Sequence, residues 1–247
     1  MSVATDSPSG RNNGTSTTGA ASITWTHTVT AAGGSNTILV VEAVTNAAPV
    51  ENITGVLWDS GGANTALTQK GHVSNAIHSI ADIWYGLLPA TGSKSIKVST
   101  TSAVEISAGS SSYINVLQAT PFNAASPQSA TGNTGQPALT VTTATGEMVV
   151  DCVIDDEASL NDTLVQGGSQ VLISSLSLGA GTHSSGASEI AASSGSQALS
   201  WTGVASGNNW IHLGVSLQAA AAGGMTTEYV GPIYAQGHSP MIGRRYV

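Results

Sequence analysis

The stretch Trp210-Ile-His-Leu-Gly-Val-Ser-Leu217 carries the clearest structural signal in the chain. Ile211, Leu213, Val215 and Leu217 alternate with His212, Gly214 and Ser216, which is the period of a β-strand with one apolar face. Working back from it, the same signal recurs. Ile23 to Val29 alternates, and Thr37 to Val44 is a nearly continuous apolar run, as in a strand covered on both faces. Further strands are expected at 53–58, 77–88, 95–100, 113–119, 139–143, 148–154, 171–178, 188–192 and 199–202, with 139–143 and 148–154 pairing across Ala144-Thr-Gly146. No segment sustains a 3.6-residue period. The expectation is an all-β chain, a two-sheet antiparallel sandwich of jelly-roll type. The segment 120–137, with three of the eight prolines, reads as a long crossover loop.

Composition narrows the function classes. Only 8% of the 247 residues are charged and the formal balance is −8. A nucleic-acid binder needs a basic face, so none is expected as partner. No run of 18 apolar residues is present, so no membrane span is expected either. The first eleven residues have neither a charged n-region nor an apolar h-region, which reads as no secretory signal. Ser, Thr, Gly and Ala supply 124 residues, a composition of rigid β-proteins with uncharged surfaces. Cys152, the single cysteine, lies in an apolar run and reads as a small core residue.

Ile83-Trp-Tyr-Gly-Leu-Leu-Pro-Ala-Thr-Gly-Ser-Lys-Ser-Ile-Lys-Val-Ser99 resembles the "Trp-Tyr … Pro-x-x-Gly … Val-x-Val" hairpin of β-sandwich modules found in phage virion structural and decoration proteins and in bacterial surface proteins. The resemblance spans about 22–218. It implies a structural or adhesive module and transfers no catalytic residue.

Candidate chemistry is sparse. Asp155-Asp-Glu157 with Asn161 and Asp162 is the one acidic cluster, a calcium candidate by its oxygens, but its spacing fits no EF-hand and a solvated loop is the plainer reading. The six histidines form no H-x-x-x-H pair; His27 and His212 read as ordinary sheet-surface residues. Glu42, Asp82, Glu147 and Asp151 lie in strands, but spacing alone cannot pair two of them for glycoside hydrolysis. No nucleophile elbow or phosphate loop occurs. No catalytic residue, metal or cofactor is therefore expected. Trp25, Trp84 and Trp201 read as core, whereas Trp58 and Trp210 lie next to turns and are the candidates for an exposed glycan platform.

The chain divides into a polar N-terminal arm (1–20), a sandwich (21–218), an Ala/Gly hinge (219–224) and a C-terminal docking arm (225–247). The last holds three of five tyrosines and two of three arginines, whereas mobile tails are normally poor in aromatics. Tyr229, Ile233, Tyr234, Met241, Arg244, Arg245 and Tyr246 are its candidate contacts. The expected function is a non-enzymatic component of a virus particle, a phage capsid decoration or head-fibre protein at the virion surface, assembled in the host cytoplasm. Its partners would be the major capsid or other virion proteins and copies of itself. The alternative is a carbohydrate-binding or adhesive module on a phage or bacterial surface.

Overall fold

The computed structural model describes residues 1–6, 11–30, 36–47, 52–75, 79–155, 164–178 and 183–221, with side chains described at all of these except 11–18, 176–178 and 183–184. Among them are sixteen strands and no helix. In chain order these are β1 (Ala4–Thr5), β2 (Arg11–Val29), β3 (Ile38–Asn46), β4 (Ile53–Trp58), β5 (Thr65–Ala66), β6 (Thr68–Ser74), β7 (Ser79–Leu87) and β8 (Gly92–Ile114). Then follow β9 (Gln128–Gly132), β10 (Ala138–Thr143), β11 (Met148–Asp155), β12 (Val165–Gln166), β13 (Val171–Leu178), β14 (His183–Ala191), β15 (Gly195–Thr202) and β16 (Trp210–Leu217). All pairing is antiparallel.

The pairing resolves into three sheets where the sequence suggests two. The first eight strands form one sheet, β5-β4-β8-β3-β7-β6 with β1 and β2 also on β8. A five-stranded sheet follows the order β13-β14-β11-β16-β9, and β10-β15-β12 make a third. The eight-stranded sheet curls, barrel-like, because β8 serves two neighbourhoods. Its first half pairs with β4 and the end of β2, and its second half pairs with β3 and the start of β2. Register shifts in β2 after Asn12, Thr17 and Ala20 supply the bends. The curled sheet encloses a core of Leu39, Val41, Val56, Trp58, Trp84, Ile96, Val98 and Ile106.

The other face of that sheet packs on the five-stranded sheet. Val40, Val44 and Ile83 meet Val150, Cys152, Ile154, Ile211, Leu213 and Val215 there. The far side of the five-stranded sheet is covered by the small sheet. Leu139, Val141, Val149, Ile190 and Leu199 form one cluster beneath it, and Val153, Leu164, Trp201, Val204 and Trp210 another. Strand β16 is thus buried on both faces. His212, Gly214 and Ser216 point at a second apolar layer and not at solvent. Gly214 is required by that closeness, since a Cβ would lie 2.9 Å from Val141 Cγ2 and 3.0 Å from Leu139 Cδ2.

Three local expectations are corrected by the pairing. Strands β10 and β11 form no hairpin: β10 pairs with β15 in the covering sheet, while both edges of β11 are taken by β14 and β16. Residues 83–99 form no hairpin either, because β3 lies between β7 and β8. The connection between β7 and β8 carries positive φ at Leu88 (46°) and Gly92 (99°). Segment 120–137 contains a strand, β9, on the edge of the five-stranded sheet. Residues 1–20 contribute β1 and the first half of β2.

Candidate functional site

Tyr229, Ile233, Tyr234, Met241, Arg244, Arg245 and Tyr246 lie outside the described residues, which end at Ala221. Of the acidic cluster, Asp155 is described. It is fully buried and accepts a hydrogen bond from Asn208 Nδ2 at 3.3 Å, so it faces the core; the rest of the cluster lies outside the described residues. Among the described residues no three His, Cys, Asp or Glu side chains gather as metal ligands would, and no helix is long and apolar enough to cross a membrane.

Trp84 and Trp201 are buried in the core as expected, whereas Trp58 and Trp210 are placed differently from expectation. Trp58 is 2% exposed, within the curled sheet's core, with His27 edge-on to its ring at 6.2 Å. Trp210 is 7% exposed. Neither offers an open ring face on which a sugar could stack. A turn beside an aromatic does not expose it when a third layer covers the strand. Trp210 nevertheless lines a cleft of about 350 Å³ together with Ser74, Asn75, Thr131, Gly132, Asn133 and Asn209. The cleft lies where the ends of β6 and β9 meet the start of β16, and among the described residues its lining carries no charged side chain. Thr131 lies near the end of β9 and the asparagines lie just outside strands, in polar segments that no sequence motif distinguishes.

Buried carboxyl groups are the other unusual feature. Asp6, Glu42, Asp82, Glu147, Asp151, Asp155 and Glu189 are all 5% exposed or less. Most are held by local donors. Glu189 accepts from Tyr113 Oη at 2.6 Å and Thr5 Oγ1 at 2.8 Å, tying β1 and β8 to β14. Asp82 accepts from Gln69 Nε2 at 3.0 Å and contacts His72 Nδ1 at 2.7 Å. Burial raises the Asp82 pKa, and His72 works against that rise. His72 itself is at the surface, so this pair seals the outer strand β6 to β7.

Asp151 is the centre of a larger network. It joins Ser188, Trp201 and His212 between the two clusters under the covering sheet. With Asp151 these residues include a serine, a histidine and an aspartate, yet the arrangement is not that of a nucleophile and its base. The Ser188 hydroxyl donates to Asp151 itself at 2.5 Å, and Ser188, Asp151 and His212 are all fully buried. A nucleophile must meet both its base and a substrate, so the network serves to hold layers together.

Glu42 stands apart. Its Oε1 accepts from Ser111 Oγ at 3.1 Å, while Oε2 is buried without a hydrogen-bond partner. It lines a cavity of about 10 Å³ with Ser107, Gly109, Cys152, Ser174, Ser185 and Gly186, between the eight- and five-stranded sheets. Burial lifts its pKa to about 8.

His27, expected at the surface, is fully buried between Ser110 Oγ at 3.0 Å and Ser112 Oγ at 3.2 Å. Burial lowers its pKa to about 4, against a smaller upward pull from Asp6. An unfolded imidazole takes its proton near pH 6.5, so the folded state's stability is full above that value and is lost as pH falls towards 4. The loss is about 3 kcal/mol. Urea denaturation of the wild type and His27→Gln at pH 7 and pH 4 should show the variant losing less by that amount; equal losses would remove His27 as the cause.

No protein-family model matches the chain, and comparison with curated proteins and with solved structures finds no match.

Proposed function

We propose that this chain is a non-enzymatic structural component of a virus particle, a phage capsid decoration or head-fibre protein that docks through residues 225–247 on capsid or other virion proteins and on copies of itself. In this reading the eight- and five-stranded sheets are the leaves of a jelly-roll-like sandwich, the small sheet covers one leaf, the N-terminal residues are built into the first leaf, and 225–247 serves as the arm at the virion surface. The observation that carries it is the division of the chain. Its last part, 225–247, is set off by composition, bearing Tyr229, Ile233, Tyr234, Met241 and Tyr246 beside Arg244 and Arg245, where a polar tail is normally poor in aromatics. Each aromatic that buries on a partner would contribute about 2 kcal/mol, and Arg244 and Arg245 would meet acidic groups there.

Deleting 225–247 should leave the thermal unfolding midpoint of the domain within about 2 °C of the full chain and abolish incorporation into particles. Normal incorporation of the truncated protein would end this reading.

A second reading, a carbohydrate-binding or adhesive module, is favoured by the uncharged cleft beside Trp210. Trp58 has no part in it, because it is enclosed.

A further inference from the structure

The geometry points to the cleft at the ends of β6, β9 and β16 as a site for one neutral sugar ring, held by amides and hydroxyls with the edge of Trp210 in its wall. This rests on the second reading above. Size is the first argument: about 350 Å³ is at the small end of ligand sites and suits a single ring better than an extended chain. Chemistry is the second. Asn75, Asn133 and Asn209 each carry an acceptor and a two-proton donor, and Ser74 and Thr131 carry hydroxyls that do either. A ring bearing several hydroxyls needs that mixture. Among the described residues the lining offers an ionic ligand no counter-charge, and Asp155, paired in register with Trp210, is already engaged by Asn208.

Preorganisation is the third argument. Asn75 Oδ1 accepts the Ser79 N–H at 3.0 Å, which fixes that side chain before any ligand arrives. Trp210 is held against Gly132, its cross-strand partner; a Cβ there would stand 2.5 Å from Cζ2 and 3.1 Å from Nε1. The indole is therefore seated by the absence of a side chain at 132. Its Nε1–H is buried with no hydrogen-bond partner, an unfavourable state for a donor. A ligand hydroxyl that shifts the ring slightly outward would satisfy it. Recognition here is by hydrogen bonding at a ring edge, in contrast to the face stacking that the sequence suggests for Trp210.

The test uses the full-length, ¹⁵N-labelled protein titrated with methyl α-glucopyranoside, methyl α-galactopyranoside, methyl α-mannopyranoside and N-acetylglucosamine, with N-acetylneuraminic acid as the charged comparison. At least one neutral probe should shift the backbone amides of 74–75, 131–133 and 209–210 saturably in the millimolar range. Thr131→Ala and Asn133→Ala, both at exposed positions, should each weaken that binding about fivefold. Failure of every neutral probe to move these amides at about 100 mM, or tighter binding of the charged sugar, would overturn the assignment. If a sugar moves amides elsewhere while these stay still, the cleft is wrong and the carbohydrate reading survives. If no sugar moves any amide, both fail.

Discussion

Asp151→Ala is expected to lower the free energy of unfolding by about 4 kcal/mol, a large part of a typical domain's stability. The carboxylate has 0% exposure and is the shared acceptor of one residue from each of three other strands. Oδ1 takes the Ser188 N–H at 2.9 Å and the Ser188 hydroxyl at 2.5 Å; Oδ2 takes Trp201 Nε1–H at 2.9 Å and His212 Nε2–H at 2.7 Å. Gln170 extends the network, donating to Ser188 Oγ at 2.7 Å and accepting Ser200 N–H at 2.8 Å. Ser188 and His212 flank Asp151 within the five-stranded sheet, whereas Trp201 and Ser200 belong to the covering sheet. One side chain thus fixes how the third layer sits on the second. Truncation leaves four donors in an apolar layer, each unpaired donor costing about 1–3 kcal/mol before relaxation. Apolar replacement of both partners of a buried polar pair is far better tolerated than loss of one. Asp151→Leu combined with His212→Leu should therefore be more stable than Asp151→Ala, although Trp201 Nε1 and Ser188 remain unpaired. Urea titrations followed by tryptophan fluorescence measure both. An Asp151→Ala protein within about 1 kcal/mol of wild type would show that the network contributes no more than a surface pair.

The sequence made the strands legible and their partners largely illegible. Periodicity found β4 and β16 to the residue or nearly so, because each bears a regular apolar pattern bounded by Gly or Asn turns. It missed β6 and β9, whose Thr, Gln, Lys, Ser and Gly side chains form edges with little apolar signal. It found only 95–100 of β8 and left 101–112 unassigned, since Thr101 to Ala103 is exposed and a run of serines follows; of the strand expected at 113–119, only Tyr113 and Ile114 belong to β8. Pairing depends on which edge is already occupied, and a hydrophobic pattern does not record that. The third layer is the main consequence: covering β16 on its second face buried His212 and Trp210 together, although a polar face and a neighbouring turn read locally as exposure. The same blindness hid the cleft, since Ser74, Thr131 and Asn209 are distant in sequence and ordinary in type.

Glu42→Gln is expected to stabilise the protein by about 4 kcal/mol at pH 8 and to change little at pH 4. Burial is the main cause of the raised pKa, and the Ser111 hydroxyl counters it only in part, while the charges of Glu189 and Asp151 add to it. The carboxyl holds its proton up to about pH 8 in the fold, against an ordinary value of 4.5. Below 4.5 both states are protonated and the full stability is present. As pH rises from there, the unfolded chain releases a proton that the folded chain keeps, so stability falls by about 1.4 kcal/mol per pH unit until the folded carboxyl also ionises. Glutamine copies the shape of the neutral acid and removes this limb. Cys152 shares the cavity, and burial pushes its thiol pKa well up, so its own linkage begins only where an unfolded thiol ionises, at the alkaline end of this range. The His27 limb runs the other way, between about 4 and 6.5. The two slopes offset each other from about pH 4.5 to 6.5, which should give a plateau there, with stability falling on the acid side through His27 and on the basic side through Glu42. Denaturation profiles at half-unit steps from pH 4 to 9 should show the basic fall in the wild type and in His27→Gln but not in Glu42→Gln. Parallel basic limbs in all three would place the titrating group elsewhere and show that the folded Glu42 carboxyl ionises in the ordinary carboxylate range.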